Sequence, residues 1–132
     1  MQNQTPFAQK ASILLADDDL ALRKVLAEVL REEGYHVILA ADGKSALSVA
    51  RKHEGPIDLL ITDVMMPRLD GFDLQEKIQL ERSGIRILVM SGALDEEITG
   101  EDFPLLRKPF RPEEFLEKVR QVLDAPSSRA AY

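Results

Sequence analysis

Short apolar runs without polar alternation, separated by stretches of helical periodicity, constrain this chain more than any other feature. Ile13-Leu14-Leu15-Ala16 is such a run: too short for a helix and followed by three aspartates, it reads as a buried strand. Behind it Leu22, Val25, Leu26, Val29 and Leu30 recur on one helical face, and Gly34 stands where a left-handed cap ends a helix. The unit repeats in kind. Val37-Ile38-Leu39-Ala40 is a second strand, Ala46, Leu47 and Ala50 mark a helix stopped by Gly55-Pro56, and residues 57–62 form a third strand. Asp70 can cap a helix carrying Leu74 and Ile78 that Gly84 closes, and residues 85–90 form a fourth strand. A brief fifth strand is expected around Leu105 and Leu106, then a helix opened by Pro112 with Phe115, Leu116, Val119, Val122 and Leu123 on one face. Between Gly92 and Lys108 acidic residues leave few core-facing positions, so a short helix or a loop is expected there. Strands alternating with helices call for a parallel sheet covered on both faces, a doubly wound α/β fold.

With 132 residues the chain is one domain, expected to be ordered over residues 12–124 with flexible tails at 1–11 and 125–132. Its net charge of −6 argues against coating nucleic acid or an anionic membrane, so neither is expected as a partner. The chain has no cysteine, which excludes a disulfide scaffold, thiolate metal sites and thiol nucleophiles. No basic stretch leads into an apolar run, and no apolar stretch approaches the ~18 residues of a membrane span. A soluble, cytoplasmic protein, a monomer or weak dimer, is the expectation.

In a doubly wound sheet ligands collect outside the carboxyl ends of the strands. The residues there are Asp17 and Asp18 after the first run, Asp63 after the third, Ser91 after the fourth and Lys108 after the fifth. One aspartate suffices to cap a helix, and carboxylates that converge repel unless a cation stands between them. A hard divalent metal with oxygen ligands fits this set, magnesium above all, and the absence of histidine and cysteine from it disfavours zinc. Three carboxylates, one divalent cation and Lys108 balance to neutrality. Esterifying Asp63 with a dianionic phosphoryl group leaves a single negative charge, which the Ser91 hydroxyl and backbone N–H groups can help stabilise. Asp63 is thus a plausible nucleophile toward phosphorus, with the metal and Lys108 neutralising the transferred oxygens.

Four motifs in order carry a family resemblance: Leu14-Leu15-Ala16-Asp17-Asp18-Asp19, then Ile61-Thr62-Asp63-Val64-Met65-Met66-Pro67 with Asp70-Gly71, then Val89-Met90-Ser91-Gly92, and Arg107-Lys108-Pro109-Phe110. The set closely resembles the receiver domain of two-component response regulators, over roughly residues 12–124. The resemblance implies a flavodoxin-like sheet of order 2-1-3-4-5, which sets Asp18 beside Asp63. It further implies that Asp63 accepts a phosphoryl group from a histidine kinase or histidine phosphotransfer protein, with Mg²⁺ held by Asp18, Asp63 and the backbone carbonyl of Met65, and Asp17 acting through a metal-bound water. Ser91 would hydrogen-bond the phosphoryl group, Lys108 would pair with one of its oxygens, and the Lys108-Pro109 bond would be cis. By this resemblance the chain is a phosphoacceptor and not an enzyme in the ordinary sense.

Two positions depart from the family. Leu105 stands where an aromatic usually follows the hydroxyl residue inward, with Phe103 a poor substitute two residues earlier, and Ser91 and Lys108 are closer in sequence than in most members. The fourth helix is therefore expected to be short or absent.

Other motifs read more plainly. Gly43-Lys44-Ser45 lacks the earlier glycine of a phosphate loop, since Ile38 holds that place. His36 and His53 have no acidic or histidine partner at ligand spacing in the sequence and are assigned no chemistry. Two rival readings remain at this stage. Asp17 and Asp19 match the nucleophile and acid/base of haloacid-dehalogenase-type phosphohydrolases, which leaves Asp63 without a role. A receiver-shaped interaction module that is never phosphorylated is the other.

Overall fold

The computed structural model describes residues 11–64, 71–92 and 104–125. Five strands, β1 (Ser12–Ala16), β2 (His36–Ala40), β3 (Leu59–Asp63), β4 (Arg86–Ser91) and β5 (Leu105–Arg107), form one sheet in the order β2-β1-β3-β4-β5. Every pairing is parallel. The helices are α1 (Leu20–Glu32), α2 (Gly43–Lys52), α3 (Gly71–Glu81) and α4 (Pro112–Asp124). This is the doubly wound order expected from the resemblance. The expected Asp70 cap, the Met65 carbonyl, Phe103 and the acidic stretch 95–102, where a short or absent fourth helix is expected, lie outside the described residues.

Alternate residues of each strand feed two separate cores, as a sheet buried on both faces requires. Leu14, Ala16, Leu60, Ile87 and Val89 pack with Ala46, Leu47 and Ala50 of α2 and Leu74 and Ile78 of α3. On the other face Ile13, Leu15, Leu59, Ile61, Leu88 and Met90 pack with Leu26, Ala27 and Leu30 of α1 and Phe115, Val119 and Val122 of α4. Leu105 is half-buried against the first core, beside Val89.

Local chemistry fixes the helix ends. The Asp19 carboxylate accepts from Leu22 N at 3.2 Å and the Asp42 carboxylate from Ser45 N at 2.7 Å, capping α1 and α2. Pro112 occupies the first turn of α4, and Glu114 accepts from Arg111 N at 2.8 Å. Gly34, at φ 96°, takes the left-handed conformation that the Cβ of other residues opposes, and it turns the chain from α1 into β2. Two details differ from the sequence expectation. The third and fourth strands begin at Leu59 and Arg86, although Ile57 and Ile85 are buried just before them. Val25 is 50% exposed, because Leu26, Ala27 and Leu30 form the inward face of α1 and leave it on the rim.

Candidate functional site

The carboxyl ends of β1, β3, β4 and β5 converge, and backbone hydrogen bonds join three of them. Val64 N donates to Met90 O at 3.0 Å, and Lys108 N donates to Ser91 O at 2.7 Å. The Lys108-Pro109 bond is cis. These joins bring together the side chains read from the sequence. Carboxylate oxygens of Asp17, Asp18 and Asp63 lie within 4.8 Å of one another, and the Lys108 ammonium sits 2.7 Å from Asp63 Oδ2 and 3.5 Å from Asp17 Oδ2.

Burial differs sharply within the group: Asp17 and Ser91 are fully buried, Asp63 is 8% exposed and Asp18 is exposed. Burial raises the pKa of Asp17 above its ordinary range; the Asp19 amide, which donates to Oδ1 at 2.9 Å, and the charge of Lys108 oppose the rise, while Asp63 adds to it. Loss of hydration would by itself lower the pKa of Lys108. Its hydrogen bond to Asp63 and the charge of Asp17 outweigh that loss and hold the ammonium above its usual 10.5. Lys108 is therefore a fixed positive charge at neutral pH.

The donor set fits a hard divalent cation. All three ligands are carboxylate oxygens, with no nitrogen or sulfur among them, and this is the single group of three or more acidic or histidine side chains among the described residues able to converge on an ion. The buried Ser91 Oγ has no hydrogen-bond partner among the described residues. A buried hydroxyl left in that state is costly unless a ligand group completes it.

The remaining readings separate on the same geometry. Asp19, the acid/base of the phosphohydrolase reading, is engaged at the N-terminus of α1, and Asp17, its nucleophile, is fully enclosed. Gly43, Lys44 and Ser45 begin α2 under the Asp42 cap. Sequence reasoning missed Arg23, whose Nη1 donates to the main-chain oxygen of Asp17 at 2.7 Å. It also missed that the fold brings the His36 and His53 rings together, with centroids 6.1 Å apart.

Comparison with known proteins agrees with the fold. Residues 13–120 match the response regulator receiver domain family, and this chain belongs to that family, the receiving module of two-component signal transduction. It is 38% identical over 120 residues to a Porphyridium aerugineum protein named probable transcriptional regulator ycf27, covering 87% of this chain and 49% of the relative. The chain thus spans about half the length of that relative. The receiver domain of the hybrid histidine kinase CckA superposes with a TM-score of 0.76 at 35% identity, covering 86% of this chain and 100% of that one. The Vibrio cholerae chemotaxis protein CheY4 superposes with a TM-score of 0.74 at 30% identity, covering 85% and 98%. The expected exclusion of nucleic acid finds no support here, because the relative is named a transcriptional regulator. Among the described residues no helix is long and apolar enough to cross a membrane.

Proposed function

We propose that this chain is a phosphorylation-switched receiver in which Asp63 accepts a phosphoryl group from a histidine kinase or histidine phosphotransfer protein. The observation that carries this reading is the Lys108 ammonium held 2.7 Å from Asp63 Oδ2 at the end of the sheet where the Ser91 hydroxyl is buried with no partner among the described residues. A carboxylate oxygen of Asp63 attacks phosphorus as the bond to the donor's imidazole nitrogen breaks, and the bonding pair leaves with that nitrogen. Lys108 keeps its proton throughout and donates to a phosphoryl oxygen, which separates it from the carboxylate it now holds. The Ser91 hydroxyl donates to a second phosphoryl oxygen and so gains the partner it lacks. Asp17, Asp18 and Asp63, with the Met65 carbonyl, would hold Mg²⁺, whose charge would offset that of the phosphoryl oxygens. Hydrolysis of the acyl phosphate by water returns Asp63 to its carboxylate form.

Phosphorylation adds charge at Asp63 and draws Ser91 and Lys108 toward it, and through Lys108 the effect reaches the start of α4. With Leu105 in the usual aromatic position, output runs through this connection rather than through an aromatic ring. A downstream protein reads the altered surface. The test is intact-mass measurement after incubation with Mg²⁺ and acetyl phosphate, with Asp63→Asn and Asp17→Asn alongside. A single phosphoryl increment that requires Mg²⁺ and disappears in Asp63→Asn is expected. An adduct that persists in Asp63→Asn and is lost only in Asp17→Asn would overturn the assignment in favour of the phosphohydrolase reading.

A further inference from the structure

At the opposite end of the sheet, where β1 and β2 begin, an open cavity of about 520 Å³ is lined by His36, His53, Glu54 and Gly55 among others. We infer that His36 and His53 form a second metal site, for a late first-row divalent cation such as zinc, nickel or copper. The two imidazoles come from different elements, His36 from the first residue of β2 and His53 from the C-cap of α2, and their ring centroids stand 6.1 Å apart at 31°. A cation bound to one nitrogen of each ring at ~2.0–2.1 Å holds two such centroids roughly 5–6 Å apart, so small side-chain rotations close the site. His36 is exposed and His53 half-buried, so both are reachable from solvent.

The backbone beneath both rings is fixed. His36 pairs with Ser12 in the sheet, and its N–H donates to Ala11 O at 3.1 Å. The Arg82 guanidinium donates to His53 O at 2.6 Å, to Gly55 O at 2.9 Å and to Ala50 O at 2.8 Å, which clamps the turn that carries His53. Gly55, at φ 102°, takes the left-handed conformation that shapes this turn. With the backbone already held, ligation has only side-chain torsions to order, and imidazole selects zinc, copper and nickel over the magnesium that suits the carboxylates at the other end. Strands of five residues separate the two ends by roughly 16 Å, so both sites can be filled at once. Water completes the coordination, with the Glu54 carboxylate at the rim of the cavity.

The chain contains two histidines in all, which makes the test direct. Imidazole NMR signals of the full chain are followed during zinc titration with magnesium saturating the acidic site. Both rings are expected to shift together, at one zinc per chain, with a Kd of about 10 µM. His36→Gln and His53→Gln should each weaken binding tenfold or more, whereas Asp63→Asn leaves it unchanged. The inference is overturned if the two rings respond at different zinc concentrations, if one ring alone responds, if neither responds below about 1 mM, or if Asp63→Asn abolishes the response. The wild-type titration decides the matter even if a histidine variant fails to fold.

Discussion

Asp17 is enclosed completely, and that burial raises its pKa above the ordinary 3.8 despite the Asp19 amide and Lys108. A carboxyl with a higher pKa folded than unfolded binds more protons in the native state. Stability therefore falls as pH rises from about 3.8 through the raised value, and stays lower above it. In chelator, Asp17→Asn should raise Tm at neutral pH and leave it unchanged near pH 3, where both states carry a protonated carboxyl; an equal gain at both values would show that packing and not charge is responsible. Ser91 presents the converse case, a buried hydroxyl with no hydrogen bond to lose among the described residues. Ser91→Ala should leave stability by urea unfolding unchanged or raised by up to about 1–2 kcal/mol, since it removes a buried hydroxyl whose bonding is unmet, yet slow phosphorylation from acetyl phosphate about tenfold, the equivalent of one hydrogen bond. A loss of stability without a change in rate would instead mark a structural hydroxyl.

Arg82 ties elements together, since one guanidinium serves Ala50 O at the end of α2 and two carbonyls of the turn that follows. Arg82→Ala should cost about 2 kcal/mol in urea unfolding, and Arg82→Lys should recover only part of it, because an ammonium lacks the planar fork that reaches three acceptors. None of this was legible in the sequence, for a physical reason: a carbonyl acceptor belongs to every residue type and leaves no pattern, and the same holds for Arg23 on Asp17 O. The strands were legible because burial on both faces removes polar alternation, as in Leu59, Leu60 and Ile61. Asp17, Asp63, Ser91 and Lys108 were legible because strand ends are where a parallel sheet gathers side chains. His36 and His53 were not, since their meeting depends on β2 lying beside β1 and on the course of the turn after α2, which no local spacing encodes.

For the whole molecule, magnesium should act as a folding ligand, since the native state alone assembles three carboxylates that repel one another. At ten times its Kd, Mg²⁺ should raise stability by about 1.4 kcal/mol, read as a rise in Tm, and Asp63→Asn should remove most of the gain. An undiminished rise in Asp63→Asn would place the ion elsewhere. The hydrogen bonds that tie Val64 to Met90 and Lys108 to Ser91 have a wider consequence. They make the site's geometry a direct reading of strand alignment: a slip of β5 by one residue against β4 would turn the side chains of β5 to the other face and break the link from Ser91 O to Lys108 N. If Asp63 accepts a phosphoryl group as proposed, that competence and correct assembly would be one property, and the acyl-phosphate adduct would then count properly folded chains in a mixed preparation.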